Sequence, residues 1–186
     1  MSNVATRMKG QGDEVPAIYV ADLADYNAGI LRGKWIKING DTTVEELREE
    51  ITVMLAEKGH EEYAIHDYNN FPGASELGEF PDLSQLIEVV RAVDDHGYVL
   101  ASAYLIYFPI NELDQIGDRF LGFYDCLGDY AHDLVDSTID LERAIGNLSY
   151  YFDYAAYGND IEMNGEIVSF NLNTCCDGRI AIFSTR

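Results

Sequence analysis

Residues 17–68 read AIYVADLADYNAGILRGKWIKINGDTTVEELREEITVMLAEKGHEEYAIHDY, and this stretch decides the fold class. AIYVADL (17–23) alternates and is rich in β-formers, which predicts a strand. DYNAGILRG reads as a turn or short irregular loop, and KWIKI (34–38) as a second strand. The next twenty residues carry helix punctuation: Thr42 and Glu45 have capping-box spacing, and Leu47, Ile51, Met54 and Leu55 recur at helical intervals. Gly59 supplies the stop. EEYAIHDY (61–68) is a third strand. A ββαβ unit of this kind predicts an α+β fold rather than a parallel α/β one.

Working outward, NNFPGASELGEFP (69–81) is the densest Pro/Gly stretch and marks a boundary. DLSQLIEVVRAV (82–93) places apolar residues at 83, 86, 87, 90 and 93, one face of a helix. GYVLASAYLIYF (97–108) suits a buried strand or a buried helix, and Ala101, Ser102 and Ala103 favour helix. Beyond Pro109 the chain reads as helical to residue 120. The last third has an acidic helix over 123–141, a second helix IDLERAIGNL and the aromatic segment SYYFDYAAYGNDIE. The strand-like runs GEIVSFN (165–171) and RIAIFST (179–185) close the chain around a CCDG turn. The expected organisation is a flexible lead-in (1–16), an N-terminal α+β domain (17–78), a central helical domain (79–120) and a C-terminal α+β domain (121–186).

The 186 residues carry 33 acids and 12 Lys and Arg, a formal charge of −21. Residues 1–58 hold ten acids and seven bases, whereas 59–178 hold 23 acids and three bases, Arg91, Arg119 and Arg143. Such a surface repels nucleic acid and anionic membranes and attracts basic partners or cations. No run approaches the roughly 20 apolar residues of a membrane-spanning helix. Cys126, Cys175 and Cys176 make no disulfide framework and read as reduced thiols of a cytoplasmic protein.

FYDCLGDYAHDLVDSTIDLE (123–142) has six acids and a single base-free face. Taken as one helix, it sets Asp125, Asp136, Asp129, Asp140 and Asp133 within an arc of about 80°, with Phe123, Leu127, Tyr130 and Leu134 opposite. Ordinary solvated faces mix signs, because like pairs at i, i+4 lose a few tenths of a kcal/mol where opposite pairs gain as much. An acid every fourth residue spaces charge by about 6 Å, against about 3.4 Å for the phosphates of one DNA strand. Two such stripes, or two copies, approach the density of a strand, and a rigid carboxylate array competes for a cleft that binds phosphates.

Other chemistry is not spelled out. The chain lacks G-x-x-x-x-G-K-[ST] and a post-strand G-x-G-x-x-G. His60-Glu61 is followed by His66, not by a histidine at zincin spacing, and EF-hand and C-x-x-C patterns are missing. His60, His66, His96 and His132 read as surface or satisfied residues. No catalytic residue, metal or cofactor is expected, and the chain reads as a non-enzyme.

IYVADLADYNAGILRGKWIKI, EEYAIHDYNNFP and YFDYAAYGNDIEMNGEIVS, in that order with the acidic helix between them, resemble the signature stretches of ArdA-type antirestriction proteins. The resemblance implies a DNA mimic borne by mobile genetic elements, elongated and homodimeric, built from three small subdomains. It also implies a partner: the basic DNA-binding cleft of a Type I restriction–modification enzyme. Asp125, Asp129, Asp133, Asp136 and Asp140 are then the expected phosphate surrogates. Glu142, Asp153, Asp160 and Glu162 extend the track, with Asp67, Glu76, Glu79, Asp82, Glu88, Asp94, Asp95, Asp114 and Asp118 as further members. Two alternatives remain open on the residues alone: an acidic module that sequesters another basic DNA-binding protein, and an acidic enzyme or Ca²⁺ binder from a salt-rich habitat.

Overall fold

The computed structural model describes residues 15–172 and 178–186. Most of the lead-in, and Cys175 and Cys176 with the turn around them, lie outside the described residues. The chain divides into two compact units, Met1–Ile116 and Gly117–Arg186.

In the first unit β1 (Ala17–Asp22) is the centre of an antiparallel sheet ordered β2-β1-β3, with β2 at Gly33–Lys37 and β3 at Tyr63–Asn69. Being paired on both sides, β1 buries every residue except Tyr19. Between β1 and β2, where the sequence suggested an irregular loop, Leu23–Asn27 forms a short helix, α1. The reason is Asp22, whose carboxylate accepts from the backbone N–H of Ala24 and Asp25 and so nucleates the turn.

Helix α2 (Val44–Ala56) buries Leu47, Ile51, Met54 and Leu55, the face predicted from spacing. Its capping box is one residue further on than expected. Thr43 and Glu46 cap it, while Thr42 turns back to Asn39. Gly59, at φ +73°, provides the left-handed conformation that ends the turn after the helix.

After α3 (Ala74–Leu77), α4 (Leu83–His96) buries Leu83, Leu86, Ile87, Val90 and Val93 as predicted, with Val89 and Ala92 beside them. The ambiguous run 97–108 is largely helix, α5 (Tyr98–Tyr104), whose small residues let it pack closely. A 3₁₀ helix, Ile110–Gln115, and α6 (Ile116–Arg119) follow. Residues 17–78 and 79–116 share this unit: Asp94 accepts from the Gly40 N–H at 2.7 Å, and Arg91 donates to the Gly40 carbonyl, tying α4 to the turn before α2.

The second unit opens with a correction. Residues 120–124 are strand β4 (Phe120–Tyr124), not helix, and the helix α7 spans only Leu127–Thr138. Cross-strand pairing outweighs the helical pattern here: Phe120 pairs with Phe183, their ring centroids 5.6 Å apart, and Tyr124 with Ile180. Extended backbone at Cys126 starts α7, and extended backbone at Ile139 ends it. Asp140 then caps a separate helix, α8 (Leu141–Ile145), by accepting from the Arg143 N–H.

A 3₁₀ turn (Gly146–Tyr151) and α9 (Tyr154–Met163) lead into β5 (Ile167–Asn171) and β6 (Ile180–Ser184), giving an antiparallel sheet ordered β4-β6-β5. Tyr130 of α7 and Ile161 of α9 pack on Ile167 and Ile182 to form this unit's core. Two small antiparallel sheets with helices packed on them make the fold α+β, as the first unit's sequence predicted.

Helices α7 and α9 approach closely at two glycines, which are not equivalent. A Cβ on Gly158 would meet the Leu127 carbonyl, with the carbonyl carbon at 2.8 Å, so backbone must move. A Cβ on Gly128 would meet Ala155 at an ordinary 3.4 Å. Gly158→Ala is therefore expected to destabilise by about 1–3 kcal/mol, an overpacking effect. Gly128→Ala should be neutral or stabilising by up to about 1 kcal/mol from helix propensity. Urea unfolding of the two variants distinguishes them, and equal effects would contradict this packing.

Candidate partner-binding face

On α7, Tyr130, Ala131 and Val135 are buried, and Asp129, Asp133 and Asp136 stand exposed on the other side. At 100° per residue these three fall within an arc of about 60° and span about 10 Å of axis. The predicted single-helix row of five aspartates is thus shortened to three. Asp125 is exposed in the link between β4 and α7, and Asp140 is exposed as the cap of α8. The charges persist while the helix that was to carry them is broken at both ends.

Around α7, Glu142 lies in the first turn of α8, Asp153 caps α9 through the Ala156 N–H at 2.9 Å, and Asp160 is exposed on α9. Glu162 is half-buried and accepts from the N–H and hydroxyl of Ser169, so it is turned inward to β5. Asp136, Asp140 and Glu142 converge on an open hollow of about 650 Å³, together with Tyr150 and Tyr154. The sequence reading missed the two tyrosines; no linear spacing announces them, because the hollow is made where the end of α7 meets the turn after α8.

Neutralisation is sparse on this face. Among the described residues, no Lys or Arg forms an ion pair with Asp125, Asp129, Asp133, Asp140, Glu142, Asp153 or Asp160. Two cations of this unit are engaged elsewhere: Arg186 pairs with Glu166, and Arg179 lies over the Phe123 ring. Asp136 has His132 at 3.5 Å, one helical turn away, and that imidazole packs against Tyr154. Burial, and then the nearby Asp133 carboxylate, push the Tyr124 hydroxyl up from its ordinary value.

The first unit contrasts with this. Arg32 bridges Asp25 and Glu57, and Lys34 bonds Glu50 at 2.6 Å, so acids near the sheet are matched. Of the further candidates in this unit, Asp67, Glu76, Glu79, Asp82, Glu88, Asp94, Asp95 and Asp114 are all exposed. Two have structural duties as well. Asp82 caps α4, and the Ser84 N–H holds its carboxyl below the usual range; Asp94 is bonded to Gly40. Asp118, in the second unit, is exposed on α6.

Asp22, Asp25 and His60 bring potential metal-ligand atoms within 4.8 Å of one another. Their bonding reads instead as a buried cap. Asp22 accepts from two backbone N–H groups and contacts His60 Nδ1 at 2.8 Å, and Asp25 faces Arg32.

The fold and the face together define an acidic α+β protein that holds its carboxylates out to solvent largely unpaired. Among the described residues no helix is long and apolar enough to cross a membrane. The family described as antirestriction protein (ArdA) matches over residues 18–173, most of the chain, and the chain belongs to that family. A comparison with curated proteins finds no match.

Proposed function

We propose that this protein is a DNA mimic that occupies the DNA-binding cleft of a Type I restriction–modification enzyme. It acts there as a cytoplasmic homodimer of three-part protomers, encoded on a mobile genetic element and without enzymatic activity of its own. Membership of an antirestriction family supports the reading at the level of antirestriction. The observation that carries the mechanism is the exposed set Asp129, Asp133 and Asp136, none of them paired with a Lys or Arg among the described residues, extended by Asp125, Asp140, Glu142, Asp153 and Asp160.

A cleft that binds DNA gains affinity chiefly by neutralising phosphates and releasing their counterions. Fixed carboxylates on a folded surface draw on the same lysines and arginines, and their mutual repulsion is relieved when that cleft closes on them. The axial spacing on α7 gives about half the charge density of one DNA strand, which is why a second copy belongs to the proposal.

The test is competition. A labelled duplex bound to a Type I methyltransferase core is titrated with this protein, and displacement is followed by fluorescence anisotropy. Displacement should occur and should weaken at least tenfold between about 50 and 200 mM salt, as expected when several charges are neutralised together. Failure to displace, or displacement indifferent to salt, contradicts the mechanism. Equal displacement of DNA from an unrelated basic DNA-binding protein would favour a general sequestering role instead.

A further inference from the structure

We infer that the hollow at the end of α7 is a socket for an arginine of the basic partner, whose guanidinium stacks on its tyrosines while its N–H groups meet its carboxylates. The inference rests on the reading that this face meets a basic protein, and it adds which cation the face prefers. Asp136, Asp140, Glu142, Tyr150 and Tyr154 line the hollow, and no Lys or Arg does among the described residues.

Carboxylates alone would attract any counter-ion, but two further features of the wall select a planar cation rich in donors. The first is its supply of acceptors. Ser137 and Thr138, also in the wall, donate their hydroxyl protons to the Leu134 carbonyl at 2.9 and 2.6 Å, so each oxygen has only lone pairs left for a ligand. A guanidinium has five N–H donors in a fixed fork and no acceptor, which suits such a wall; an ammonium is a compact point charge with three. The second feature is the rings. Tyr150 is 80 % exposed and meets no other ring among the described residues, while Tyr154 is held by ring contacts to His132 and Phe152. A phosphate surrogate has no use for a ring. A guanidinium does, because it stacks on aromatic faces and is more weakly hydrated than an ammonium. Free arginine is disfavoured, since its own carboxylate would face three others.

The probes are the capped pentapeptides GRGRG and GKGKG, equal in charge, titrated into the full chain and followed by the ring-proton NMR signals of Tyr150 and Tyr154. GRGRG should shift both signals and bind about two- to fivefold more tightly than GKGKG, the advantage of one exposed cation–ring contact. Tyr150→Ser should abolish that advantage and Tyr150→Phe should keep it; at so exposed a position neither change should disturb the fold. Asp140→Asn with Glu142→Gln should weaken both peptides together. Equal binding of the two peptides by wild type, or an advantage that survives Tyr150→Ser, overturns the proposal. Ring signals that move with protein concentration before any peptide is added would give the hollow to a second copy and overturn it equally. In the DNA-displacement assay, Tyr150→Ser should weaken displacement by the same about two- to fivefold and leave its salt dependence unchanged. Displacement indifferent to that substitution would overturn the socket and leave charge mimicry standing. A wild-type protein that selects GRGRG yet displaces no DNA would support the socket and remove the DNA-cleft reading.

Discussion

Simultaneous replacement of Asp129, Asp133, Asp136, Asp140 and Asp153 by Asn is expected to weaken displacement of DNA from a Type I enzyme by about 70-fold, while each single replacement changes it only about twofold. The estimate takes roughly half a kcal/mol for each exposed charge pair made with the partner. Asn is the right substituent because Asp140 and Asp153 cap α8 and α9 through the N–H groups of Arg143 and Ala156, and Asn caps about as well as Asp. Ala at the same two positions would confuse lost charge with lost cap, at about 1 kcal/mol each.

The same variant should also unfold at slightly higher denaturant than wild type. Asp129 and Asp133 are like charges at i, i+4, and removing their repulsion gains a few tenths of a kcal/mol. Weaker inhibition from a protein that is no less stable separates a loss of contact from a loss of fold. Undiminished inhibition across the salt range would mean that the α7–α9 face is not the contact.

The second large effect concerns Asp22, fully buried at the end of β1. Asp22→Ala is expected to destabilise the first unit by about 2 kcal/mol, combining the loss of a helix cap with partly buried donors left without their acceptor. Those donors are the N–H groups of Ala24 and Asp25 and the Nδ1 of His60. Against a total stability of about 5–15 kcal/mol this is a large fraction, visible in urea unfolding at pH 7.

The pH dependence follows from the same contacts. Burial works against ionisation of Asp22, but the bonds from His60 and the two backbone N–H groups, with the attraction of His60, outweigh it and hold the carboxyl below the ordinary 3.8. A depressed carboxyl contributes stability that is fully present above its unfolded value and lost as pH falls through its folded value. The advantage of wild type over Asp22→Asn should therefore hold down to about pH 4 and shrink below it. An advantage that stayed constant to pH 3 would show that the charge of Asp22 is not what matters.

The places where sequence reading succeeded and failed share a pattern. Periodicity located α2 and α4 with the residues they bury, because a helix with one buried side must repeat its apolar face at 3.6 residues whatever surrounds it. It failed at 120–126, where Phe120, Phe123 and Tyr124 also fit a helical face but gain more by pairing with Phe183, Ala181 and Ile180 across 56 to 63 residues of chain. It failed by one residue at the α2 cap, since Thr42 and Thr43 are chemically alike and only the path of the turn after Asn39 separates them. His60 offered no local sign of its partner Asp22, 38 residues earlier.

The sequence by itself determined the α+β class, the excess of acids over bases, and the exposure of the candidate carboxylates other than Glu162. Charge is a property of composition, and an unpaired carboxylate has nowhere to go but solvent. Tertiary structure alone decided how those carboxylates are carried. It broke the single acidic helix into a strand end, α7 and the cap of α8, and turned Glu162 inward to Ser169. It also drew Asp136, Asp140 and Glu142 around one hollow with Tyr150 and Tyr154. Those outcomes depend on which distant strand and helix each residue meets, a competition between burial energies that no local period encodes.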